Sequence, residues 1–133
     1  MPITLDGGAG VTYPDGVQQT NAVTNTGGDP RYYAARAWAN ISGVTGAVRA
    51  AVNIASVTFP GTGRYSFTFT TPMPDANYAI IATAGDNSTT ANYYNARIYG
   101  TPTASSFVLS VTTQSSGNPA AVSPDYLHVV VFR

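Results

Sequence analysis

Chemistry in this chain has few places to come from: one histidine, six aspartates and six arginines, with no cysteine, glutamate or lysine. A hydrolytic triad needs a base beside a nucleophile on a shaped turn, and no Gly-x-Ser-x-Gly is present. His128 lies inside an apolar segment, where a packed or interface side chain is the expected role. One histidine without cysteine cannot supply the usual ligands of a zinc site. Glycoside hydrolysis needs two carboxylates flanking the bond. Of the six aspartates, Asp86 and Asp125 stand at loop–strand junctions and could meet at one rim, whereas Asp15 and Asp75 read as turn residues. The dense Asp/Asn spacing of a calcium loop is missing, although Asp86 and Asn87 could join an irregular site. The expectation is a protein that is not an enzyme and carries no cofactor or metal.

Binding chemistry is better represented. Alternation over 92–99 turns Tyr94, Ala96 and Ile98 inward and Tyr93, Asn95, Arg97 and Tyr99 outward. Tyr and Arg combine large contact area with polar tips, which suits glycan stacking or a protein interface. The rims 86–92 and 114–124, with Tyr93, Arg97 and Tyr99, form the candidate receptor-contact surface, Asp86 and Asn87 belonging to the first rim. The competing reading is that a partner sheet or neighbouring subunit covers these rings. Nucleic acid is not an expected partner, because charged residues are only 9% of the chain and the net charge is zero. Asn40-Ile41-Ser42 and Asn87-Ser88-Thr89 match the glycosylation pattern, as chance allows in a chain this rich in Asn, Ser and Thr.

The elements that must position these residues are strands. Helix-favouring residues are nearly absent, and Thr, Val, Tyr, Gly, Asn and Ser take their place. Residues 1–30 read as an extended arm, rich in Gly and Pro and too sparse in apolar residues for a core of its own. Within it, Val11-Thr12-Tyr13 is closed by Pro14-Asp15-Gly16, a turn sequence in which Pro presets φ and Gly accepts positive φ. Residues 31–133 form the body. Strands are expected at 32–40, 47–54, 56–59, 64–71, 77–84, 92–99, 106–113 and 125–132, with a break over 114–124. That pitch predicts an all-β fold, an antiparallel β-sandwich of seven to eight strands with jelly-roll-like character.

Most strands alternate cleanly. Tyr65, Phe67 and Phe69 oppose Ser66, Thr68 and Thr70, and Phe107, Leu109 and Val111 oppose Ser106, Ser110 and Thr112. The last strand does not. Leu127, Val129 and Val131 make one apolar face, and Tyr126, His128, Val130 and Phe132 make a second. A second copy of the chain could cover that face, with Tyr13 of the arm as a further interface residue; the arm or loops of the same chain are the alternative. No secretory signal and no apolar run near the ~20 residues of a spanning helix is visible, so membrane insertion is not expected.

Two stretches carry a resemblance. Gly10-Val11-Thr12-Tyr13-Pro14-Asp15-Gly16-Val17-Gln18-Gln19-Thr20 resembles the "G-[IV]-x-[FY]-P-D-G-x-x-Q-T" segment of tail-fibre and related virion proteins of tailed bacteriophages. Ala35-Arg36-Ala37-Trp38-Ala39-Asn40, then Val48-Arg49-Ala50 and Asn53-Ile54-Ala55-Ser56-Val57, is similar to the start of a phage distal-fibre β-domain. The likeness continues from Gly63 through Pro72-Met73-Pro74-Asp75-Ala76-Asn77-Tyr78 and covers roughly the first half of the chain; the second half matches only in strand rhythm.

The resemblance implies a homotrimeric virion protein, made in the host cytoplasm and carried on the particle. Its arm would contact other virion proteins, and its body would meet a host-surface glycan. In longer fibres the Pro-Asp-Gly segment follows an extensive shaft. Here it begins within ten residues of Met1, which leads to the expectation of a short tip on another protein or a small trimer decorating the capsid. The expected function is thus a tail-fibre tip or short fibre for host attachment. The alternatives are a capsid decoration protein, a glycan-degrading enzyme and a monomeric glycan-binding module of cellular origin. Trp38 and Arg36 are expected to form a structural pair near the arm.

Overall fold

Alternation leaves most strands of the body with one face to bury, and the chain buries it by stacking two antiparallel sheets. The structure, a computed structural model, describes residues 4–6, 10–12, 18–19, 34–87, 93–115 and 118–133. It divides into two units, Met1–Ala34 and Ala35–Arg133.

In the first unit, β1 (Thr4–Asp6) pairs antiparallel with β2 (Gly10–Thr12), which pairs with β3 (Gln18–Gln19). What was expected to be an extended arm therefore carries a small meander, with Leu5 opposite Val11 and Val11 opposite Gln19. Tyr13 and the Pro14-Asp15-Gly16 turn lie outside the described residues.

The second unit is an all-β sandwich. One sheet has the order β5 (Val48–Val52), β4 (Ala35–Ile41), β12 (Tyr126–Phe132), β8 (Ala79–Gly85). The other has five strands: β11 (Asn118–Ala121), β10 (Ser106–Ser115), β7 (Arg64–Phe69) and β6 (Ile54–Gly61), with β9 (Tyr94–Ile98) paired to β10. Residues 109–110 of β10 pair with both β7 and β9, and residues 112–113 with both β9 and β11. The strands β7 and β11 therefore share one edge of β10 and β9 takes the other. The expected break over 114–124 is corrected, because β10 runs on to Ser115 and Asn118–Ala121 folds back on it. That hairpin brings the body to nine strands among the described residues, in place of seven or eight. Alternation missed it because Asn-Pro-Ala-Ala carries no apolar period.

Large side chains from one sheet meet small ones from the other. Tyr65, Phe67, Phe69, Phe107, Leu109 and Val111 are buried with Ala37, Ala39, Ile41, Leu127, Val129 and Val131. Phe67 and Phe107 stack with centroids 4.8 Å apart, and Phe69 meets Tyr78 edge-on at 5.5 Å. Each such ring pair adds about 0.5–1.5 kcal/mol beyond simple burial. The Tyr65 hydroxyl crosses to the other sheet and donates to the Gly43 carbonyl at 2.6 Å.

Two turns depend on glycine. At Gly63, φ is +68°, and a Cβ would sit 2.4 Å from the Val111 carbonyl oxygen, where the shared edge of β10 passes from β7 to Val122. At Gly43, a Cβ would lie 2.2 Å from the Pro124 carbonyl oxygen. Neither position admits a side chain without movement of backbone.

Candidate functional site

Two outward faces of the sandwich hold the residues singled out above, and they differ in chemistry. On the five-stranded sheet, inward Tyr65 and Leu109 dictate by alternation that Arg64 and Ser110 face out. Register then places Ser110 opposite Arg64 on one side and Arg97 on the other. The serine, only 7% exposed, is flanked by two arginines that both reach solvent. The Arg64 guanidinium lies 3.9 Å over the Tyr99 ring, a cation–π contact that crosses β10. One row further along, Asn95 is opposite Thr112. Asn95, Arg97, Thr112 and Pro119 line a shallow cleft of about 200 Å³. Tyr93, just before β9, is 76% exposed.

The candidate contact residues are therefore only partly brought together. Tyr93, Arg97 and Tyr99 share one side of β9. Asp86 and Asn87 belong to a different layer of contacts: the Asp86 carboxylate accepts from the Tyr94 hydroxyl at 2.6 Å, and the Asn87 amide donates to Asp125 Oδ2 at 2.8 Å. This rim is where Asp86 and Asp125 were expected to approach, and there both carboxylates serve as hydrogen-bond acceptors holding β8, β9 and β12 in place. Residues 88–92 and 116–117 of the two rims lie outside the described residues. Ile98, expected to point into the core, is 44% exposed, because it sits near the end of an edge strand with a neighbour on one side only. Pro119 belongs to the expected 114–124 rim, whereas Arg64 and Thr112 were not anticipated. Alternation gave the facing of these two, but nothing local showed which strand they would stand beside.

The four-stranded sheet presents the second face. Val130 is opposite Trp38 and Ile81, and Trp38 is opposite Val52. The outcome is an apolar row, Val52–Trp38–Val130–Ile81, running across every strand of the sheet. Val52, Trp38 and Ile81 are 50%, 36% and 58% exposed, and Val130 is half-buried between its neighbours. The adjacent row, Ala50–Asn40–His128–Thr83, is mostly polar. His128 is exposed there and stacks loosely on Tyr126 with centroids 6.4 Å apart.

Tyr126, His128, Val130 and Phe132 thus stand on the outward face of β12, while Leu127, Val129 and Val131 are buried. Trp38 belongs to the apolar row, with Val52 and Val130 as its cross-strand neighbours. Arg36 sits at a β-bulge of the β4–β12 ladder, and its carbonyl accepts from Asn53 Nδ2. Arg49 is the extra residue of a second bulge, between β4 and β5. It donates to the carbonyls of Ile41 at 2.8 Å and Asp125 at 2.9 Å and lies 4.7 Å over the Tyr126 ring.

Comparison with family models, with curated proteins and with solved structures returns no match to this chain.

Proposed function

We propose that this chain is a structural protein of a tailed-phage virion, a tail-fibre tip or short fibre that displays its sandwich for attachment to a host surface. It acts by adhesion, without turnover. The observation that carries the reading is the apolar row Val52–Trp38–Val130–Ile81, open to solvent across a whole sheet. Most monomers avoid leaving contiguous apolar patches of this kind uncovered. The occupant is another copy of the chain: the centre of the row carries no charge, so identical surfaces do not repel when they meet.

Homotrimeric assembly over this face leaves the arginine-bearing sheet facing outward, in three copies. Several weak contacts then act together, and linked sites gain avidity without a deep pocket. The Gly10–Thr20 and Ala35–Tyr78 resemblance supports the virion setting and a role for the arm in contacting other virion proteins.

The test has three parts. Light scattering on the purified chain is expected to give three times the chain mass of 13.8 kDa, and a mass of one chain would overturn the assembly. Gold-labelled antibody on intact particles is expected at the fibre tips; label on capsid faces would replace attachment by decoration. Release of reducing ends from host polysaccharide, abolished by Asp86→Asn or Asp125→Asn, would overturn the non-enzymatic reading.

A further inference from the structure

We infer that the outer face of β7, β10 and β9 is a binding site for an acidic glycan, one carrying carboxylate or phosphodiester groups, with Arg97 and Arg64 as its anion-contacting side chains. The inference deepens the attachment reading and rests on it for its biological setting.

The first argument is charge. Arg64 and Arg97 flank Ser110 in a single cross-strand row, so their backbones are two inter-strand spacings, about 10 Å, apart. Two like charges so placed repel mildly, and no carboxylate on this face offsets them among the described residues. Asp75 is engaged by Arg133, Asp86 accepts from Tyr94, and Asp125 accepts from the Asn87 amide. A face that retains two cations and no anion favours a ligand that brings the anions.

The second argument is geometry. The Arg64 guanidinium lies over the Tyr99 ring, a contact that steadies it, and its planar fork of N–H donors offers an edge for pairing. That edge is what a carboxylate or phosphate engages. Arg97 borders the cleft with Asn95 and Thr112, whose amide and hydroxyl groups suit sugar hydroxyls. Tyr93 adds an open ring just before β9, a surface on which a sugar ring can lie. Both arginines stand on one row of the same face, so acidic groups recurring along a polymer can meet both. An open cleft of this kind admits a chain along its length.

The test is titration calorimetry on the full chain with four probes: oligogalacturonate, glycerol teichoic acid, neutral dextran oligomers and inorganic phosphate. At least one acidic polymer is expected to bind, with affinity falling as salt rises, while dextran does not bind and phosphate binds far more weakly. Arg97→Gln is expected to weaken binding at least tenfold, the scale of a lost charged hydrogen bond. Because Arg97 is exposed, its melting temperature should match the parent. Asn95→Ala provides a second, uncharged probe of the same cleft, with a smaller loss.

Dextran binding as tightly as the acidic polymers, silence from both polymers, or full affinity in Arg97→Gln would each overturn the inference. Phosphate binding as tightly as the polymers would reduce the face to a site for an adventitious ion only. A particle-bound trimer that ignores acidic polymers refutes this site alone. A monomer that binds them refutes the assembly alone.

Discussion

The side chain of Asn53 pairs with the backbone of Thr71 in both directions. Asn53 Oδ1 accepts from the Thr71 amide at 2.7 Å, and Nδ2 donates to the Thr71 carbonyl at 3.1 Å. The same Nδ2 donates to the Arg36 carbonyl at 3.1 Å, and the backbone φ of Asn53 is +55°. Asn53 lies between β5 and β6, where the chain leaves one sheet for the other, and its carboxamide ties β4 to the segment that follows β7. Asparagine tolerates this left-handed conformation better than other non-glycine residues. Replacing Asn53 by Ala removes three hydrogen bonds and keeps the strained φ, with an expected loss of about 2–4 kcal/mol. Asn53→Gly should recover about 1 kcal/mol of it by relieving the backbone alone. Urea denaturation of both variants checks the order.

Gly63 makes a sharper demand. An alanine there combines φ +68° with a Cβ 2.4 Å from the Val111 carbonyl oxygen, and Val111 itself donates to Gly63 at 2.7 Å. Relief requires β7 and β10 to separate at their shared end. Gly63→Ala is expected to cost roughly 2–4 kcal/mol. In a domain of this size that lowers the melting temperature by about 10 °C or more, measurable by circular dichroism.

Acid stability should depend on Asp75. Its carboxylate receives two hydrogen bonds from the Arg133 guanidinium and one from the Asn77 amide, and these hold its pKa below the ordinary value. A depressed folded pKa means stability present above the unfolded value of about 3.9 and lost as pH falls through the folded one. Asp75→Asn should therefore flatten the stability profile below about pH 4 relative to the parent. An unchanged acid limb would show that the pair contributes nothing.

The alkaline limb belongs to tyrosine. Burial pushes the Tyr65 hydroxyl above its ordinary pKa, against a smaller opposing effect from Ser123, and burial also raises Tyr78. A raised folded value means the stabilisation is intact below the unfolded pKa of about 10 and is lost as pH rises through the folded one. Tyr65→Phe should make the loss above about pH 10 shallower. At neutral pH the same variant should be about 1 kcal/mol less stable, through the hydrogen bond to Gly43. Denaturant melts at both pH values separate the two effects.

For assembly, Ile81 is the decisive position, since it is the most exposed member of the apolar row. Ile81→Asp is expected to convert the proposed trimer to monomer by light scattering while leaving the circular dichroism spectrum of the sandwich intact. Val44→Asp, similarly exposed but in the turn between β4 and β5, should leave the mass unchanged.

Much of this fold was legible before any coordinates. Side chains alternate across a strand, so Tyr65, Phe67 and Phe69 had to turn one way and Arg64, Ser66 and Thr68 the other. The same rule exposed the second apolar face of the last strand, and the Gly and Pro breaks placed the turns. The β10–β11 hairpin was not legible, because Asn118–Ala121 is held by backbone pairing and not by a buried face. Cross-strand neighbours were equally out of reach. Trp38 is far from Val130 along the chain, and Arg64 is far from Arg97; only the hydrogen-bond register between strands sets each pair side by side. Facing is a local property of the pleat, so the order of residues determines it. Adjacency between strands is a product of how the whole chain closes its core. The apolar row and the paired arginines were therefore decided by the tertiary structure.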